Sequence, residues 1–230
     1  MKRRWIHPIF TLAAAVAMPA VLWAHPVSRA DAIFVHGVTG PAIAPFMYLG
    51  AKHMVTGYDH LLFLVGVIFF LYNLKDVVKY VSFFAIGHSL TLIAGVWWQV
   101  HMSPYLIDAI IGMSVVYKGF ENIGGFERLR WKFDTRLAVL VFGLFHGFGL
   151  ATRLQDLGVQ TNGLMTNLLS FNVGVEIGQV LALSIVLVAL GYWRARTSFT
   201  TYAFAANTAL MTGGFMLMGL HLTGFVVSRW

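Results

Sequence analysis

An all-α fold, a polytopic bundle of membrane-spanning helices, is predicted by three features of this 230-residue sequence. It is 58% hydrophobic and 11% charged, against about 25% charged in ordinary soluble domains. Its apolar residues fall in several long runs, each close to the roughly 17–25 residues that cross hydrocarbon, and mean hydropathy is +0.74. Lys and Arg collect in the short connections, where they set membrane orientation. The formal net charge of +7 therefore reads as topology, not as a nucleic-acid footprint. Cysteine is absent, which excludes disulfides and thiolate metal sites.

In chain order, Met1-Lys2-Arg3-Arg4, the apolar stretch Ile9 to Leu22 and then Trp23-Ala24 have the layout of a secretory signal over 1–24, cleaved after Ala24. Left uncleaved, it would be a seventh span. Residues 25–45 read as a short periplasmic segment and 46–230 as one transmembrane domain. Six apolar segments follow, about 46–72, 77–99, 104–121, 135–152, 167–192 and 201–228. Gly50 and Gly57 interrupt the first, so its early part is expected at the membrane interface. A periplasmic mature N-terminus places nine basic residues inside (Lys75, Lys79, Lys118, Arg128, Arg130, Lys132, Arg136, Arg194, Arg196) and four outside (Arg29, Lys52, Arg153, Arg229). The positive-inside rule thus favours a bacterial inner-membrane protein with both mature termini periplasmic.

Ionisable groups inside spans cost several kcal/mol and normally face the bundle interior. His53 and His60 are seven residues apart, only about 20° apart around a continuous helix, with Asp59 beside them. His88 falls near the middle of the second segment, and His146 lies in the outer half of the fourth with glycines beside it. Asn172, Glu176 and Gln179 form one polar stripe on the fifth, and Gly174 and Gly178 offer a close helix contact on another side. Taken singly, each is explained by interhelical hydrogen bonding. With His60, His88, His146 and Glu176 all between the periplasmic surface and the midplane, a common site is the better account. Neutral imidazole with carboxylate suits Ni²⁺, Co²⁺, Zn²⁺ or Cu²⁺, whereas hard cations want more carboxylates.

Other candidates are weaker. His25 would become the first residue after cleavage, where its amine and imidazole could chelate metal, although Pro26 blocks an extended amino-terminal chelate. His36 and His101 read as wet loop residues, and Met211 and Met218 as packing. His221 has outer-half depth without a patterned neighbour and is kept as a supporting group. Asp108 and Glu121, near opposite ends of the third segment, are expected to reach water, with Lys118 a partner for Glu121.

Four ordered motifs resemble the second subgroup of the HupE/UreJ family of hydrogenase and urease accessory membrane proteins. They are His53 with Asp59-His60-Leu61-Leu62-Phe63-Leu64, Gly87-His88-Ser89-Leu90-Thr91-Leu92, Phe145-His146-Gly147-Phe148-Gly149-Leu150-Ala151, and Phe171-Asn172-Val173-Gly174-Val175-Glu176-Ile177-Gly178-Gln179. The resemblance implies nickel or cobalt uptake serving metalloenzyme assembly, with His53, Asp59, His60 and His146 on the metal path. Where the nickel permeases of the family continue toward a Gly-Glu pair, this chain has Ala151-Thr152, and Glu176 is the carboxylate expected to substitute.

The function expected is a permease that captures periplasmic metal near His53, Asp59 and His60, passes it to His88, His146 and Glu176, and releases it inward. The metal is substrate, nickel or cobalt first, zinc or copper next. No organic cofactor, enzymatic activity or nucleic-acid partner is expected; lipid and metalloenzyme maturation proteins are. No G-x-x-x-x-G-K-[ST], H-E-x-x-H or G-x-S-x-G occurs. Competing readings are a membrane redox protein with haem held by His88 and His146, and a metal chaperone or sensor without transport, working through His25 and the segment up to Pro45.

Overall fold

The computed structural model describes residues 34–35, 37–156, 158 and 162–228. The expected signal segment 1–24, together with His25, Arg29, His36 and Arg229, lies outside the described residues. From Ile43 onward the described chain is helical: α1 Ile43–Thr56, α2 Tyr58–Ile68, α3 Leu74–Trp97, α4 Pro104–Asn122, α5 Gly125–Arg128, α6 Thr135–Asp156, α7 Leu164–Arg194 and α8 Ser198–Val227. α3, α6, α7 and α8 are each long and apolar enough to cross a membrane. α4 matches its apolar segment in length but carries Asp108, Lys118 and Glu121.

The first apolar segment departs from the continuous helix on which the angle between His53 and His60 was reckoned. It breaks at Gly57, whose backbone is extended (φ −76°, ψ 93°). The break is local: the Gly57 N–H still donates to His53 O at 2.9 Å, and the Leu61 N–H donates to Gly57 O at 3.1 Å. A side chain at 57 would meet His60 Nδ1 at 2.9 Å and Asp59 Oδ1 at 3.1 Å, so glycine leaves the room in which Asp59 folds back over the start of α2.

Three helix pairs build the bundle, each through small residues that let backbones touch. α1 and α7 run parallel, Gly174 against the Met47 carbonyl and Gly178 against Ala51. α3 and α6 are also parallel, with Gly143 on Phe84 O and Ala151 on Gly95. α4 and α8 are antiparallel: Gly112 packs on Met218 and Gly214, and Gly119 on Met211 and Asn207. Met211 and Met218 are therefore packing residues, as the sequence suggested. These directions fit alternating passes, because α1–α2 and α7 share one sense, as do α3 and α6.

Apolar side chains fill the centre, among them Phe46, Met54, Phe63, Leu64, Phe84, Leu92 and Leu168. Large ones such as Ile86, Leu90, Ile185 and Val188 point outward, the arrangement expected where lipid is the solvent. Polar residues close the helix ends. Arg194 donates to the carbonyls of Ile68, Phe69 and Leu71 (3.0 Å for Leu71), satisfying the C-terminus of α2. Asn122 Nδ2 donates to Gly66 O and Asn207 Oδ1, both at 2.8 Å. Lys118 is buried and pairs with Glu121, which also accepts from Thr135. At the other end Asn167 binds the chain entering α1, accepting from Ala42 N at 2.7 Å and donating to Gly40 O at 3.0 Å.

Candidate metal centre

The break at Gly57 puts two imidazoles on either side of a helix interruption. His53 sits in the last turn of α1 and His60 in the first turn of α2, yet their ring centroids are 5.1 Å apart, edge to face. Losing helix continuity costs little proximity, because the Gly57–His53 hydrogen bond keeps the chain turning.

His60 is the hub. Its ring lies 4.7 Å from His146 on α6 and 6.3 Å from His88 on α3. Phe84 stacks on His88 at 6.0 Å and meets His146 edge-on at 5.0 Å, and Phe63 lies 5.5 Å from His146. These phenylalanines form an apolar wall against the imidazoles. His60, His88 and His146 are 2%, 1% and 1% exposed, so water does not reach the rings from outside.

Asp59 fixes the state of the hub. Its Oδ1 accepts from the His60 backbone N–H at 2.9 Å and lies 2.8 Å from His60 Nδ1. A carboxylate oxygen has only lone pairs to offer, so Nδ1 carries the proton and the lone pair of the neutral ring sits on Nε2. That nitrogen is buried without a partner, as are Nε2 of His53 and His88 and both ring nitrogens of His146. An unmade hydrogen bond on a buried polar atom costs about 1–3 kcal/mol. Five such nitrogens in one cluster are a large uncompensated cost unless something binds there. As the side chains stand, no three His, Asp or Glu residues among the described residues converge tightly enough to hold an ion at once. The arrangement is a chain of imidazoles around His60 and not a closed coordination cage.

Backbone contact sets the height of His88 and His146. A Cβ at Gly147 would lie 2.2 Å from both His88 O and Thr91 Oγ1, so only glycine lets α6 come this near α3. Thr91 Oγ1 then donates across the interface to Leu144 O at 2.7 Å.

The remaining sequence candidates separate. Asn172 accepts from Ser89 Oγ at 3.0 Å and ties α7 to α3. Gln179 is 1% exposed with both amide atoms unpartnered. Glu176 is half-buried on α7, and among the described residues no hydrogen bond or ion pair links it to the imidazoles. Thr152, the position at which the resemblance implied a glutamate, is buried and accepts from Met102 N at 3.3 Å. His101 is exposed and 2.9 Å from Asp156. His221 lies 3.7 Å from Asp108. Asp108 corrects the expectation that it reaches water: it is 7% exposed and held by Arg153 at 2.5 Å. The sequence reading also missed the Phe63–Phe84 wall and Thr91, although Thr91 lies within a quoted motif.

Long apolar helices, close glycine contacts and a buried cluster of imidazoles beside a broken helix define the class, an α-helical membrane protein with histidines gathered in its interior. The family model described as HupE / UreJ protein matches residues 29–229, nearly the whole chain. The chain belongs to the HupE/UreJ family, which is associated with nickel and cobalt accessory or transport function. No curated protein and no solved structure matches it.

Proposed function

We propose that this protein is an inner-membrane permease for a divalent transition metal of the nickel or cobalt type, crossing the membrane six times with both mature termini periplasmic. The observation that carries the reading is the set of five buried, unpartnered imidazole nitrogens from His53, His60, His88 and His146. Borderline cations choose imidazole, and the Asp59-fixed tautomer leaves His60 Nε2 ready to bind. The cation is substrate, entering near His53, resting at His60 and passing between His146 and His88.

The membrane potential is a sufficient drive. A divalent cation moving inward gains about 2 × 2.3 kcal/mol per 100 mV, on the order of a thousandfold in concentration. No catalytic step is part of this proposal. Lipid surrounds the bundle, and metalloenzyme maturation proteins are the partners that would receive the metal. A haem between His88 and His146 is disfavoured, since Phe84 is packed against both rings and His60 lies beside both.

Uptake of radioactive nickel or cobalt, at limiting metal, by cells with and without the protein tests the reading. Greater uptake in expressing cells is expected. Equal uptake with confirmed expression overturns it, and tight binding without flux in sealed vesicles points instead to a chaperone or sensor.

A further inference from the structure

At the end of the bundle where α3, α6 and α8 finish and α4 begins, three charged or titratable side chains from three helices meet: Asp108 of α4, Arg153 of α6 and His221 of α8. The Asp108 carboxylate is used on one side only. Its Oδ2 accepts from Arg153 Nη2 at 2.5 Å and lies 3.7 Å from His221 Nδ1, while Oδ1 is buried with no partner. A guanidinium fork can engage both oxygens of a carboxylate; here it engages one.

This pair stands over the imidazole cluster. Arg153 is seven residues beyond His146 on α6, hence on nearly the same helix face and about 10 Å further along the axis. A bare cation at that place would repel an incoming metal ion, and a bare carboxylate would carry an uncompensated buried charge. While paired, the two side chains present neither.

We propose that Asp108 and Arg153 form an exchangeable ion pair at the mouth of the metal path, in which an incoming divalent cation takes the guanidinium's place on the Asp108 carboxylate before moving to the imidazoles. Asp108 Oδ1, buried and unused by the guanidinium, is the oxygen the cation takes as Arg153 turns its partly exposed side chain outward, and His221 supplies a neighbouring imidazole. The inference rests on the permease reading for its direction of travel, but the station can be measured without flux.

The experiment is a Co²⁺ titration with metal analysis of the purified full chain, comparing wild type, Arg153→Gln and the double variant Asp108→Asn/Arg153→Gln. With the competing guanidinium gone, Arg153→Gln binds an additional equivalent of Co²⁺ that the double variant, whose pair is neutral, does not. Equal stoichiometry in all three overturns the proposal, because Asp108 freed of its guanidinium then takes up no Co²⁺. Should Arg153→Gln fail to fold, Asp108→Asn decides through Co²⁺ flux in sealed vesicles. A half-saturating concentration raised about tenfold at unchanged maximal rate supports the station, and an unchanged concentration overturns it. Extra Co²⁺ in Arg153→Gln with no wild-type flux retires the permease and keeps the station; normal flux without extra Co²⁺ does the reverse.

Discussion

Asp59 and His60 are neighbours in sequence, and the Asp59 Oδ1 atom accepts both the His60 backbone N–H, at 2.9 Å, and the ring Nδ1–H, at 2.8 Å. One oxygen thereby satisfies an N–H in the first turn of α2 and sets which nitrogen of the central imidazole is free. Replacing Asp59 by Asn keeps the shape but replaces the carboxylate by a weaker, neutral acceptor. Metal affinity of the purified protein is expected to fall about 10–100-fold, as when other carboxylates behind ligating histidines are removed. Calorimetric Ni²⁺ or Co²⁺ titration reads this, and an unchanged affinity would remove Asp59 from the site.

The parallel α3–α6 contact leaves no room at Gly147, where a Cβ would sit 2.2 Å from His88 O. Gly147→Val must push the helices apart and break the Thr91–Leu144 bond at their interface. Overpacking of this kind costs about 1–3 kcal/mol. A lower unfolding temperature in detergent is expected, together with weakened metal binding, since His88 and His146 separate with their helices. A variant as stable as wild type would mean that the contact is looser than described.

Arg194 satisfies three carbonyls at the end of α2. Hydrogen bonds to a charged donor are worth about 1.5–3 kcal/mol, so Arg194→Gln should lower the unfolding temperature measurably. Arg194→Lys should recover only part of the loss, because an ammonium lacks the planar fork. Full recovery by lysine would reduce Arg194 to a topological charge.

Much of this architecture was legible in the sequence. The six apolar segments coincide with helices to within a few residues, because length and hydropathy are local properties. That His60, His88 and His146 share a depth also followed from their positions within those segments, and the seven-residue spacing of His53 and His60 predicted that both face one cavity. What escaped was non-local or a matter of one dihedral. The interruption at Gly57 was legible, but Gly50, expected to interrupt as well, lies inside α1, and the extended dihedral at Gly57 means the angle reckoned for a continuous helix does not carry from His53 to His60, although the two rings do meet. Arg153 was counted as a loop charge and Asp108 as a wetted end; their pairing spans 45 residues and depends on how α4 crosses α6. Lys118 was also counted as a loop charge, yet it is buried against Glu121, a pairing suggested by the three-residue spacing. Glu176, expected to supply the substitute carboxylate, is half-buried on α7 and makes no hydrogen bond or ion pair with the imidazoles among the described residues.

His146 has two unpartnered nitrogens and His88 one, which gives them different expected weights. His146→Ala should lower the metal content of purified protein more than His88→Ala does, while Glu176→Ala should leave it close to wild type. Elemental analysis of the three variants distinguishes them. Full metal content in His146→Ala would displace the centre from this cluster.

The most direct test of the account is radioactive nickel or cobalt flux into sealed vesicles, under an inside-negative potential, with wild-type protein and with His60→Ala. Because the His60 ring lies within 6.3 Å of each of the other three imidazoles, wild type should accumulate metal and His60→Ala should fall to the level of protein-free vesicles. Undiminished flux through correctly folded His60→Ala would contradict the proposal that the imidazole cluster is the path.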